Sequence, residues 1–85
     1  MSSIKDLKRK IKGMVIAVLD ECDYVMANND KKADAADKLI DEAVDFHDAM
    51  ISKIGQAKSK ADYRAIREEV SKNEVDFVKK LNKLQ

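Results

Sequence analysis

Between Asp30 and Gly55 the chain alternates two kinds of position with the three-then-four spacing of an α-helix. Ala36, Leu39, Ile40, Ala43, His47, Met50, Ile51 and Ile54 line one side, and Asp30, Asp34, Asp37, Asp41, Asp45 and Asp48 line the opposite side. The apolar side requires packing partners, and the flanking sequence supplies two more helices. Upstream, Ile4, Leu7, Ile11, Met14, Val15, Val18, Cys22 and Val25 form a stripe, widened by Leu19 and Met26 so that this helix meets more than one neighbour. Within it Ile4, Ile11, Val18 and Val25 recur every seven residues, the seam spacing of packed helices. Downstream, Tyr63, Ile66, Val70, Phe77, Leu81 and Leu84 repeat the pattern. Ser71 and Glu74 have the spacing to cap a new helix. Val70 and Phe77 nevertheless keep phase across them and no Gly or Pro intervenes, so the spacing predicts one continuous helix.

The ends of these helices are marked. Ser3 with Asp6, and Ser59 with Asp62, have capping-box spacing. Asn28 and Asn29 tolerate the left-handed conformation that closes a helix, Asn29 or Asp30 can cap the next, and Gly55 suits a C-terminal cap. Gly13, inside the first helix, costs about 0.8–1 kcal/mol relative to alanine, which close approach of another backbone would explain. Three helices, about 3–28, 30–55 and 59–84, joined by short connections, predict an all-α, antiparallel up-down-up three-helix bundle, a single domain over 1–85. Each rod of about 24 residues is roughly 36 Å long.

Composition sharpens this picture. With no proline, two glycines and 39% charged residues, the chain favours helix over strand or disorder. At 85 residues its net stability should be modest, on the order of 5–8 kcal/mol. The single Cys22 lies on the apolar stripe and forms no intrachain disulfide, which suits a reducing, cytoplasmic setting. No secretory signal is visible, and the longest apolar run, Met14 to Leu19, is too short to span a membrane.

Catalytic and cofactor motifs are missing from the sequence. The two glycines are too far apart for a nucleotide loop, and no paired cysteines or HExxH offer zinc ligands. A di-iron bundle needs Glu-x-x-His on two helices, whereas this chain has one histidine, with Val44 three residues before it. Histidine phosphotransfer domains carry Lys and Gly three and four residues after the histidine; here Met50 and Ile51 stand there, so that reading is a distant alternative. His47 is expected to be a seam histidine bonded to a neighbouring helix, and Asn73 a polar residue that fixes register. No enzyme activity, metal or cofactor is expected.

The net charge is only +1, but its distribution is uneven. In an up-down-up bundle of equal rods, residues 1–15 and 43–72 form an end with net charge +5, and residues 16–42 and 73–85 an end with −4. Lys5, Lys8, Arg9 and Lys12 make a basic patch on the outer face of the first helix. The aspartates of the second helix make an acidic ridge, a candidate docking surface for a basic partner such as the lysine-rich face of a second copy. Ile16, Tyr24, Val75 and Val78 lie off the apolar stripes, as a dimer face would. The expected function is therefore that of a small protein–protein interaction or regulatory module with an unidentified protein partner or a second copy. The rival is a nucleic-acid-binding accessory protein using the basic end; a membrane partner is not expected.

Overall fold

The computed structural model describes residues 3–84, with Ser3 described by its backbone alone. It contains three long helices, α1 (Ser3–Asn28), α2 (Ala33–Gln56) and α3 (Lys60–Leu84), and a short 3-10 turn at Asp30–Lys32. Nothing interrupts α3 at Ser71–Glu74. The Ser3 half of the first capping box lies outside the described side chains. The second box is formed: the Asp62 amide donates to Ser59 Oγ at 3.2 Å, and Asp62 Oδ2 accepts from the amides of Ser59 (3.2 Å) and Lys58 (2.9 Å).

The other two terminators differ from expectation. No described residue has a positive φ, so neither Asn28 nor Asn29 takes the left-handed form. Asn29 is extended instead, and its Oδ1 accepts from the Lys31 amide at 3.1 Å. It thereby ends α1 and caps the 3-10 turn, which delays the start of α2 to Ala33. Gly55 is not a cap but an interior residue of α2, and the chain leaves that helix through extended Ala57. Nothing lies within 4 Å of where a Cβ would stand on Gly13, so no backbone packs closely there.

The direction of each helix follows from cross-links between them. Lys53 pairs with Glu69 at 2.7 Å and Glu42 with Lys80 at 2.6 Å, so α2 and α3 run oppositely. Lys10 pairs with Glu74 at 3.6 Å, while Met14 and Val18 share a trough with Phe77 and Leu81, so α1 and α3 run the same way. These pairings set α3 back toward the amino end of α1. Glu74 and Asp76 then fall at the basic level of the bundle. Dividing the chain at that level, residues 1–15 and 43–78 carry +3 and the remainder −2, so the end-to-end polarity is about half that of an unstaggered bundle.

One core runs the length of the bundle. Leu7, Ile11, Val15, Val18, Cys22 and Val25 of α1 meet Ala36, Leu39, Ala43, Phe46, Met50 and Ile54 of α2 and Ile66, Val70, Phe77 and Leu84 of α3. Phe46, absent from the sequence-derived stripe, is buried. Its ring meets Phe77 edge-on, with centroids 5.5 Å apart. The stripe as read faced α1; α3 packs on the other flank of α2 and draws Phe46 inward. Ile4, assigned to the seam, stays 42% exposed in the first turn of α1.

Candidate interaction face

The outer surface shared by α1 and α2 gathers most of the candidate residues. On α1, Lys5, Lys8, Arg9 and Lys12 are all exposed. The line Lys5, Arg9, Lys12 continues by steps of three and four through Ile16 to Asp20 and Asp23, which are also exposed. On α2, Asp34, Asp37, Asp41, Asp45 and Asp48 are exposed opposite the core, whereas Asp30 belongs to the 3-10 turn and stands outside the helical ridge. Asp37, Asp41 and Asp48 fall toward α1. Asp45 leans the other way, into the trough that α2 makes with α3.

Between the two helices, midway along both, lies an apolar trough formed by Lys12, Val15, Ile16, Val44 and His47. Ile16 remains 47% exposed and Val44 41%. At this level α1 changes sign, from Lys5, Lys8, Arg9 and Lys12 on one side to Asp20 and Asp23 on the other. Asp37 and Asp41 of α2 flank the acidic half. None of these eight charged side chains has an ion-pair partner among the described residues. Among the described residues, the pairs Lys10–Glu74, Lys53–Glu69 and Glu42–Lys80 tie α3 to its neighbours. The face of α1 and α2 is thus charged on both sides of an apolar centre.

His47 does not bond a neighbouring helix. Its Nδ1 lies 3.1 Å from Oδ1 of Asp48, the next residue, and the ring is partly exposed at the edge of the trough. Its role as a seam histidine is therefore not realised, because the α2 core line passes through Ala43, Phe46 and Met50 instead. Asn73 likewise makes no bond across helices. Its Nδ2 donates to the Glu69 carbonyl one turn earlier at 2.8 Å. Cys22 is buried, and its thiol pKa is raised by desolvation and by the adjacent Asp23 and Glu21 carboxylates, which keeps it protonated. Among the described residues no three His, Cys, Asp or Glu side chains are grouped so as to hold a metal ion. No described helix is long and apolar enough to cross a membrane.

Of the remaining off-stripe residues, Tyr24, Val75 and Val78 are exposed as expected. Val78 borders the trough between α1 and α3, so it does not join Ile16 in one patch. The acidic half of the α1 face escaped the sequence reading. Its signal was the unbroken spacing from Lys12 through Ile16 to Asp20 and Asp23. Comparison with known protein families, curated proteins and solved structures finds no match to this chain.

Proposed function

We propose that this chain is a small contact protein, a protein–protein interaction or regulatory module that binds through the α1/α2 face and performs no catalysis. The observation that carries this reading is the contrast in charge pairing. The three lysine–carboxylate pairs between helices all involve α3, whereas the eight charges on the α1/α2 face have no ion-pair partner among the described residues, and they flank exposed Ile16 and Val44. Exposed apolar residues ringed by unpaired charge form the anatomy of a contact surface, with an apolar centre and a polar rim. The troughs between the helices are open to solvent, which suits contact with a macromolecule more than enclosure of a small substrate. A cytoplasmic setting fits the buried, protonated thiol of Cys22.

The test is capture of host proteins by immobilised chain in low salt. Reversal of Lys5 and Arg9 to Glu should abolish capture through this face, while reversal of Lys79 and Lys83 on α3 should not. Identical captured sets from both variants would refute the reading. Nucleic-acid binding remains the second reading because Lys5, Lys8, Arg9 and Lys12 are exposed and unpaired. It predicts retention on heparin that falls steeply with salt. Asp20, Asp23, Asp37 and Asp41 on the same face oppose it by repelling phosphate.

A further inference from the structure

The exposed line of α1 is antisymmetric in charge about Ile16. Lys12 and Asp20 stand four residues to either side of it, and Arg9 and Asp23 stand seven to either side. All five are exposed on one line of the helix. Ile16 itself sits at the middle of the bundle beside Val44, in the apolar trough. A surface with this property is complementary to its own copy turned end for end.

We propose that the α1/α2 face is occupied by a second copy of this chain, in an antiparallel two-fold dimer centred on Ile16. In that arrangement Lys12 meets the partner's Asp20, and Arg9 meets the partner's Asp23. Each contact occurs twice, because a two-fold interface is built from the same patch on both copies. Ile16 packs near the axis against the partner's Ile16, with Val44 of each copy beside it, so the exposed apolar centre is covered by its own equivalent. Each α1 lies along the partner's α1/α2 groove, and its basic half runs over the acidic half formed by the partner's Asp20, Asp23, Asp37 and Asp41.

The charges also reject the alternatives. A parallel pair sets Arg9 against Arg9 and Asp23 against Asp23, which is repulsive at both ends. A nucleic acid gains from the basic half and is repelled by the acidic half. At the other apolar trough, between α1 and α3 at Met14, Ala17 and Val78, the bordering Glu74 already pairs within the chain, with Lys10.

This inference rests on the reading of the chain as a contact protein, and it names the partner at the same face. Sedimentation velocity of the full chain over a concentration series should show a reversible monomer–dimer equilibrium that weakens as salt is added. Arg9→Glu alone and Asp23→Arg alone should each raise the dissociation constant about tenfold or more, since each reversal turns two attractive contacts repulsive. Mixing the two variants should restore a heterodimer near the wild-type affinity, because both contacts are then attractive again. That recovery separates the pairing from loss of fold, and the weakening in each single variant separates it from a parallel dimer, in which either reversal leaves like charges opposed as before. A dimer indifferent to either reversal, or a mixture that fails to recover, would overturn the proposal. So would a wild-type chain that stays monomeric in low salt; if that monomer still captures a host protein through Lys5 and Arg9, only the choice of partner falls, and the contact reading stands.

Discussion

Asp62 shows how one side chain sets a boundary. Its carboxylate accepts from the Lys58 and Ser59 amides, and these hydrogen bonds, the Lys58 bond first, lower its pKa below the ordinary aspartate value. A group whose pKa is depressed by folding contributes stability that is complete above its unfolded pKa and is lost as pH falls through the folded one. Asp62→Ala should therefore lower the melting temperature at neutral pH, with the difference from wild type shrinking below about pH 4; an unchanged difference on acidification would contradict the role of the carboxylate. This cap was legible from Ser59 and Asp62 alone, because a capping box is a local device. Phe46 was not legible, since its burial depends on which flank of α2 receives α3. Asn29 was half legible: its side-chain cap follows from residue type, but its extended backbone depends on the 3-10 turn that follows it.

Among the elements, α2 carries the clearest internal conflict. Asp34, Asp37, Asp41, Asp45 and Asp48 give four like-charge pairs at three- or four-residue spacing, each costing about 0.2–0.5 kcal/mol. Only Asp34 lies in the first turn, where the helix dipole favours an anion. None of the five pairs with a lysine or arginine among the described residues; Asp48 alone has a titratable neighbour in contact, His47. Added salt should therefore raise the melting temperature of the monomer, measured at a concentration low enough to exclude association. A melting temperature that falls with salt would show that the favourable pairs on α3 outweigh the ridge. The helix boundaries were largely readable because the apolar stripes and Ser59 report them directly. The stagger of α3 was not readable, because it depends on how Phe77 and Leu81 pack against Met14 and Val18, and it is this shift that halves the expected polarity of the ends.

The whole molecule is a slender bundle, 45 × 19 × 16 Å by its Cα atoms, with a core one residue layer deep around its axis. So thin a core concentrates stability in a few large side chains. Phe77 is buried at the junction of all three helices, against Phe46 and beside the Met14–Val18 trough. Phe77→Ala should cost about 3–5 kcal/mol, a large share of the roughly 5–8 kcal/mol available, and thermal melts followed by circular dichroism should show a midpoint lowered by about 10 °C or more. Retention of full cooperative stability would mean that the core is more redundant than its burial pattern implies. The basic patch and the acidic ridge could be recognised along the chain, but their adjacency could not, because it arises only when α1 and α2 lie side by side with Ile16 and Val44 at the same level. The two connectors carry a different consequence. They use only backbone shapes open to every L-amino acid, so neither bend is locked by glycine or proline. Loop closure grows costlier only slowly with length, roughly 0.6 kcal/mol per doubling. The junction between Ala57 and Lys58, ahead of the Lys58 amide that Asp62 holds, is therefore a natural place to splice in a guest peptide, which the rods on either side would display at the tip of the scaffold.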